Sequence, residues 1–335
     1  MKRKILSYFI ILILLLINNK QVFSQEEEVS GNKVGTTSFQ FLKIVPDARS
    51  TAMGEASASI VNTAEAVFHN PAGLIYVENL DVSFSYVDWL LDIKYSAFSA
   101  AYRFSYFGTF GFQLVYGDIG DIEETRVDGL GFVGKSYNPG LTGRTFSPNS
   151  LVAGLTYARG LTEKFSFGIT AKYVSEKLAP GLGLEDASAA AILFDGGILY
   201  DTGFRSIKLG LSVRHFGGDI KFYAEKYPPP QTFNVSISSY LIGINGLFTN
   251  ISDQKLLFAF DMIQPRDYGQ QYNTGLEYSF KDMFFLRTGY KMNYDEEGFT
   301  YGFGVRLTGI RVDYSFGDFG KYLDSVHRFS LSFSM

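Results

Sequence analysis

The sequence predicts an all-β membrane protein, a fourteen-stranded antiparallel transmembrane β-barrel with an N-terminal plug that contains short helices. Three observations predict this class. From Leu80 to the C-terminus apolar and polar residues alternate, the connections alternate between short and long, and a short apolar stretch follows a basic N-terminus. A mean hydropathy of +0.04 excludes a polytopic helical membrane protein, which needs repeated apolar runs of about 20 residues.

The first 24 residues are typical of a cleaved signal peptide. Lys2 to Lys4 form a basic region, Ile5 to Ile17 form an apolar stretch too short for a membrane span, and Val22-Phe23-Ser24 suits a signal peptidase. Cleavage removes four of the 30 basic residues and leaves 34 acidic ones, so no basic patch indicates nucleic acid. The chain has no cysteine, which excludes disulfides, thiolate metal sites and a cysteine nucleophile.

The rest of the chain divides into three parts. Residues 25–38 are polar and acidic, and we expect a flexible leader. Residues 39–79 are rich in Ala and Ser and lack alternation, with room for short helices around Ala48–Met53 and Thr63–Val67. Residues 80–335 alternate and form the predicted barrel. Because a barrel of this size has a lumen that must hold water, a ligand or a plug, we expect 39–79 to fill it.

Fourteen segments follow the strand pattern, in which successive side chains point to opposite faces. Most of them approach or exceed the ~9–11 residues of a tilted transmembrane strand, and an even number suits a closed bacterial barrel. The segments are 80–88, 93–104, 108–117, 149–160, 164–176, 190–201, 205–216, 231–241, 255–264, 270–280, 283–292, 298–307, 310–317 and 325–335.

The connections alternate in length along the chain. Long ones such as 118–148, 177–189 and 217–230 alternate with short turns such as 161–163. Outer-membrane barrels have short periplasmic turns and longer outer loops, so we expect both mature termini on the periplasmic side. Only 242–254 departs from the rule, and it is either a periplasmic excursion or a miscounted strand.

Ten charged residues lie out of phase with the apolar residues of their segments. In lipid each would cost about 2–4 kcal/mol near the midplane, so we expect them to face the lumen. The alternative is the solvated face of a soluble β-sandwich, against which the signal peptide and the segment lengths argue. The ten are Lys172, Lys208, Arg214, Asp261, Glu277, Arg287, Lys291, Arg306, Arg311 and Asp313.

The sequence predicts no catalytic residue, no cofactor and no metal site. His69 is expected in the plug, His215 at a strand end and His327 in the lumen, and no G-x-S-x-G element is present. One acidic cluster in the longest loop lacks EF-hand spacing and is interpreted as a solvated loop face. The cluster is Asp118, Asp121, Glu123 and Glu124.

The segment before Leu80 carries a family resemblance. The stretches FLKIVPDAR (41–49), AMGEA (52–56) and FHNPAGL (68–74) resemble the N-terminal region of the PorV/PorQ family, which looks like a branch of the FadL-type outer-membrane barrels. Relatives tend to have an Asp-rich approach to the Asn-Pro-Ala turn, where this chain has Asn62 and Glu65.

We interpret this motif as structural, a corner that joins plug to barrel. Pro71 fixes its own φ, the Asn70 side chain can hydrogen-bond local backbone, and Gly73 permits a reversal into the first strand. Direct ligand contact is the alternative. The motif residues are Pro46, Asp47, Arg49, Met53, Gly54, Asn70, Pro71, Ala72 and Gly73.

The resemblance implies an interaction protein of type IX secretion in the outer membrane of Bacteroidetes-type bacteria. Implied partners are the translocation pore, the C-terminal signal domain of exported cargo, or a surface-attachment complex, and either a shuttle or a scaffold role is open. Loops held by a rigid barrel suit such recognition. The candidate loop residues are Tyr137, Phe146, Phe222, Tyr223 and Tyr227.

The alternative function is a FadL-like transporter of hydrophobic small molecules. An apolar pocket in the plug and a kink in a wall strand would favour it. Met53, Ile60, Val67 and Phe68 are apolar enough to line such a pocket, and they equally suit a packed plug.

Overall fold

The computed structural model describes residues 34–182, 187–222, 225–320 and 323–335. Within these residues fourteen strands close into one barrel, in which every pairing is antiparallel and the last strand pairs with the first. The predicted fold class is confirmed. No helix in the described part of the chain has the length and apolar character needed to cross a membrane. The expected signal peptide of 1–24 lies outside the described residues.

The wall strands begin and end within three residues of the predicted segments. They are β1 Leu80–Asp88, β2 Lys94–Phe104, β3 Gly108–Asp118, β6 Asn149–Gly160, β7 Phe165–Lys177, β8 Ser188–Asp201, β9 Lys208–Phe216, β12 Thr232–Ile242, β13 Gln254–Pro265, β14 Gln271–Phe280, β15 Phe284–Met292, β16 Phe299–Leu307, β17 Ile310–Gly317 and β18 Val326–Ser334.

Four further strands lie in the long connections as far as these are described. The longest holds a hairpin of β4 Ile122–Val133 and β5 Ser136–Phe146, and the connection after β9 holds the short pair β10 Ile220–Lys221 and β11 Lys226–Tyr227. The connection between β12 and β13 contributes no described wall strand, so it is an excursion at the short-turn end rather than a miscounted strand.

The alternation of the sequence corresponds to the two faces of the wall. Along β16, for example, Phe299, Tyr301 and Phe303 are about half exposed on the outside, whereas Thr300 is buried inside. Large apolar side chains form the outer face of every wall strand, as a lipid-facing surface requires. The inner face carries small, polar and charged residues.

The plug consists of short helices joined by turns and extended residues. α1, Ala48–Ala52, begins at Asp47, whose carboxylate accepts a hydrogen bond of 2.9 Å from the Ser50 N–H. Three 3-10 helices cover Gln40–Lys43, Ala64–Phe68 and Pro71–Tyr76, and another, Leu90–Asp92, follows β1.

The plug crosses the lumen from the long-loop end to the short-turn end. Phe39 packs with Val87 and Val174, which lie near the long loops, whereas Leu74 packs with Ala101 near the short turns. The C-terminus pairs with Leu80 at the short-turn end. The first described residues of the N-terminal segment thus lie at the long-loop end, opposite the C-terminus, and the mature N-terminus expected at Gln25 lies outside the described residues.

Glycines on the inner wall let the plug backbone approach closely. A Cβ at Gly289 would lie 2.0 Å from the backbone nitrogen of Gly54, and one at Gly168 would lie 2.4 Å from the carbonyl carbon of Pro71. Any side chain at these positions would push the plug away from the wall. The high glycine content of the chain thus has a packing reason.

Candidate functional site

The Asn-Pro-Ala turn is bonded to the wall by a fully buried amide. Asn70 Oδ1 accepts a hydrogen bond of 3.1 Å from the Ala72 N–H, and Nδ2 donates to the carbonyl oxygens of Ala58 (2.8 Å) and Ile198 (3.1 Å). Gly73 lies inside a 3-10 helix, and its missing Cβ makes room for the Val61 carbonyl rather than permitting a reversal. The turn therefore joins two plug segments and wall strand β8.

Asp47, His69 and Ser57 form a buried relay in the plug. The Asp47 carboxylate is hydrogen-bonded to His69 Nε2, and His69 Nδ1 lies 2.9 Å from the Ser57 hydroxyl. Burial alone would raise the pKa of Asp47, but the interaction with His69 and the hydrogen bonds from His69 and Ser50 lower it to about 2.

The relay lacks the other parts of a hydrolytic site. The N–H groups of Ser57 and Ala58, which could hold an oxyanion, both donate to the Asp261 carboxylate at 3.1 Å. The Ser57 side chain is buried against a cavity of about 10 Å³, which is smaller than any acyl substrate. This arrangement bonds plug segments to one another and to β13.

A chain of alternating charges ties the plug to the opposite wall. Arg49 donates two hydrogen bonds of 3.0 Å to Glu277, which also accepts one of 2.6 Å from Arg287. Arg287 and Arg311 both bond the Asp313 carboxylate, at 2.7 and 2.6 Å.

The chain of charges returns to the plug at its far end. Arg311 donates to Glu65 at 2.9 Å, so both ends of the network are plug residues. Bidentate arginine–carboxylate pairs fix geometry as well as charge. The predicted lumen charges of β14 to β17 therefore bond the plug and one another.

The other predicted lumen charges also lie on the inner face. Lys172 bonds Asp195 at 2.7 Å, and Lys208 lies 4.0 Å from the centre of the Tyr76 ring. Arg306 lies over Phe285, and Arg214 donates to the Phe68 carbonyl at 3.1 Å. Lys291 and Asp261 have plug partners, because Lys291 bonds Glu55 and Asp261 accepts from Ser57 and Ala58.

Sequence reasoning missed several lumen charges. Asp81, Asp195 and Arg328 are buried on the inner face, and the parity of their strands could have identified them. His215 faces the lumen at a bulge of β9, where it bonds Lys172 at 2.8 Å. The expectation for His327 is wrong: it lies on the outer face and bonds the Tyr314 hydroxyl, because it shares parity with Phe329.

A cavity of about 430 Å³, which we call the vestibule, opens at the long-loop end above the plug. Lys43 and Lys291, two of its cations, are paired with carboxylates, and Arg214 lies there without one among the described residues. Apolar side chains such as Leu90, Ile263 and Phe319 line it beside carboxylates of the 293–298 connection. The vestibule is thus both charged and partly apolar.

Asp267 fastens the start of the plug at the rim of the vestibule. Its carboxylate accepts hydrogen bonds from Thr37 (2.7 Å), Gln40 (3.0 Å) and Lys43 (2.6 Å). Burial opposes the charged form, but these hydrogen bonds outweigh it and hold the pKa of Asp267 below its usual value. We call Asp267 and its three donors the rim latch.

The long-loop end carries the candidate recognition residues. Tyr137 is 59% exposed on β5 and packs against Phe132 of β4, and Phe146 ends the hairpin half-buried. Phe222 packs against the plug residue Phe39 and is not free. Tyr227 is exposed beside the plug entrance, and Tyr223 lies outside the described residues.

The acidic cluster of the longest loop is divided among several contacts. Glu124 accepts from Thr142 (2.8 Å) and Arg126 (3.0 Å) inside the hairpin, and Asp118 caps Gly120. Glu123 is exposed, and Asp121 bonds Ser147. No group of three or more acidic or histidine side chains in the described ranges is arranged to hold a metal ion.

The closed fourteen-stranded barrel with its plug shares its fold with solved structures of transporters and channels. The Ralstonia pickettii toluene transporter TbuX matches at 13% identity with a TM-score of 0.57, over 86% of this chain and 98% of that one. The Pseudomonas putida toluene transporter TodX matches at 13% identity and 0.57, over 85% and 97%. The monoaromatic hydrocarbon channel CymD matches at 13% and 0.54, over 88% and 98%. Identities this low show the fold alone.

The family is established by the sequence itself. The profile of a family described as type IX secretion system protein PorV matches residues 26–203, more than half of the chain. The chain therefore belongs to the PorV family, as the resemblance in its N-terminal segment predicts. No curated protein sequence matches it.

Proposed function

We propose that this protein is an interaction component of type IX secretion, which binds the translocation pore or the C-terminal signal domains of cargo through its long loops. In this role it passes cargo to a surface-attachment complex as a shuttle, or holds components together as a scaffold. Family membership supports the secretion role. The loops supply the surface on which partners would dock.

The observation that carries the proposal is the contrast between a filled lumen and an exposed hairpin. The plug is bonded to the wall by buried ion pairs, and the predicted pocket residues Met53, Ile60 and Val67 are packed rather than lining a large cavity. Above the wall, β4 and β5 expose apolar side chains, with Val127 at 83% and Phe132 at 74%. Isolated two-stranded hairpins are marginal in water, so a partner would stabilise this one.

Affinity purification from outer membranes tests the proposal. We expect secretion components to copurify with the tagged wild-type protein and to be lost when residues 122–146 are replaced by a short Gly-Ser turn. The barrel should still assemble, because β3 and β6 pair directly along their whole length without the hairpin. Recovery of no secretion component with the wild-type protein would refute the proposal.

A FadL-like transporter is the second candidate, and one observation favours it. The register shift at the β9 bulge is an irregularity in the wall, next to small cavities between plug and wall. TbuX, TodX and CymD are described as hydrocarbon transporters or channels. Stoichiometric hydrocarbon or fatty acid in the purified protein, without secretion components, would favour transport.

We further propose that residues 1–24 are cleaved, that 25–38 are a leader, and that 39–79 form a plug unit inside an 80–335 barrel integral to the outer membrane. The motif residues of the plug would then act in assembly rather than in ligand contact. N-terminal sequencing of protein from isolated outer membranes tests the cleavage, with Gln25 as the expected first residue. An uncleaved Met1 would contradict it.

A further inference from the structure

We propose that the vestibule binds the free C-terminal carboxylate of a peptide that carries a basic side chain next to its last residue. This inference rests on the proposed function, because it names the chemical group by which a partner would be recognised. It is carried by Arg214 and by the carboxylates at the rim.

Arg214 is an incompletely satisfied cation at the vestibule. It lines the vestibule and also the two small cavities of about 40 and 10 Å³ next to it. One N–H of its guanidinium donates to the Phe68 carbonyl, whereas its Nε is buried without an acceptor in the described part of the chain. A buried donor without a partner costs free energy. Arg214 as a whole is only partly buried and lines the vestibule, so a ligand oxygen would meet the outer N–H groups of its guanidinium rather than the buried Nε.

The neighbouring cations have their own carboxylates. Lys43 is 2.6 Å from Asp267, and Lys291 is 2.7 Å from Glu55 and also bonds Glu297. Among the described residues no carboxylate lies within ion-pair distance of Arg214; Glu55, which lines the same cavity and acts on Arg214 at longer range, is itself paired with Lys291. The planar guanidinium presents N–H donors at the spacing of two carboxylate oxygens.

The opposite charge lies at the rim. Asp295 and Glu296 are exposed in the connection after β15 and line the vestibule. A basic side chain next to the terminal carboxylate would meet these two groups while the carboxylate meets Arg214. The ligand defined by this pattern is anionic at its end and cationic just behind it.

The lining favours a peptide over an alkyl chain. Thr232, Gln271 and Tyr294 supply hydrogen-bonding groups for a peptide backbone, and Leu90 and Phe319 supply apolar surface for side chains. An alkyl chain would displace water from these polar groups and from the rim carboxylates without offering them a hydrogen bond, which is unfavourable. The volume of about 430 Å³ lies within the range of about 300–1,000 Å³ of ligand pockets.

Peptide binding to the purified full-length protein in detergent micelles tests the inference. The probe is a fluorescein-labelled Gly-Ser-Gly-Val-Lys-Val, made as the free acid and as the C-terminal amide, and binding is measured by anisotropy. We expect amidation to weaken binding tenfold to a hundredfold, about 1.4–2.8 kcal/mol. Replacing the probe's lysine by glutamate should weaken binding as well, because the rim is acidic.

Arg214→Gln, measured with both the acid and the amide probe, gives a double-mutant cycle between the side chain and the terminal carboxylate. The variant should bind the free acid as weakly as the wild type binds the amide, and it should no longer distinguish acid from amide. Arg214→Lys, which keeps the charge without the planar donors, should retain part of the preference. Arg306→Gln is the matched control: it removes a lumen cation that does not line the vestibule, and the preference should be unchanged.

Equal affinity of the wild type for acid and amide would overturn the inference, and this comparison needs no variant to fold. Competition of the probe by palmitate, with no preference between acid and amide, would overturn it in favour of a lipid. If secretion components copurify while acid and amide bind equally, the proposed function stands and this inference fails. If acid is preferred and nothing copurifies, the proposed function fails.

Discussion

Two adjacent glycines of β8 allow a test of how closely the plug packs against the wall, because only Gly197 lies against plug residues. A Cβ at Gly197 would lie 2.0 Å from Asn70 Oδ1 and 2.8 Å from Pro71 Cδ, whereas one at Gly196 meets nothing within 4 Å. The Asn70 amide cannot move aside without breaking its bonds to Ala58 and Ile198. We therefore expect Gly197→Ala to destabilise the folded barrel and Gly196→Ala to leave it nearly unchanged.

The magnitude follows from two costs. Overpacking a filled interior costs about 1–3 kcal/mol, and each hydrogen bond lost by the displaced amide costs about 1 kcal/mol. Gly197→Ala should lower the free energy of unfolding by about 2–5 kcal/mol in total. This loss should appear as a lower temperature at which the folded band disappears in a heat-modifiability gel. Limited proteolysis should also cut the plug of this variant earlier.

Asn70→Ala supplies the decisive second variant. It removes the oxygen with which the new methyl group would collide, so the double variant should lose less than the sum of the two single variants. Asn79→Ala, an exposed asparagine just before β1, is the control and should behave as wild type. Additive losses, or equal stability of the Gly196 and Gly197 variants, would refute this packing account.

Three further outcomes follow from the polar contacts. Glu277→Gln leaves Arg49 and Arg287 buried without their shared counter-charge and should cost about 3–5 kcal/mol in thermal unfolding; an unchanged midpoint would contradict this. The lowered pKa of Asp267 means that the rim latch is fully formed above the unfolded value of about 3.9 and is lost as pH falls through the folded value. The protection of residues 37–43 against hydrogen exchange, taken relative to the intrinsic rate at each pH, should therefore fall in acid, and Asp267→Asn should show low protection already at pH 7. Ser57 should resist a fluorophosphonate probe, and mass-spectrometric detection of the adduct would contradict its structural role.

The wall was predictable because alternation and turn length are local properties. Each wall strand must place apolar groups in lipid and small or polar groups inside, and this constraint appears in the residues themselves. The hairpin of β4 and β5 was missed because both of its faces are largely exposed, so nothing enforces a period of two.

The contacts of the lumen were not predictable from patterns. Parity shows that Glu277 faces inward and register places it opposite Arg287, but only the packing of the plug against the wall brings Arg49 to it. The direction of the plug depends on packing such as that of Phe39, which no spacing encodes. The His69 relay joins residues of three plug segments, and its Ser57 lacks a nucleophile motif.

The closed wall sets the order in which the molecule can be assembled. The plug is synthesised before any strand, yet it is held by Asp261, Glu277 and Arg311, which belong to strands made near the end of synthesis. The seam between β1 and β18 also waits for the last residues. Contacts between such distant parts of a chain form slowly. The plug must therefore be kept from misfolding until the C-terminal strands have been made. A chain truncated at its C-terminus loses both the pairing of β1 with β18 and the residues that hold the plug in the lumen.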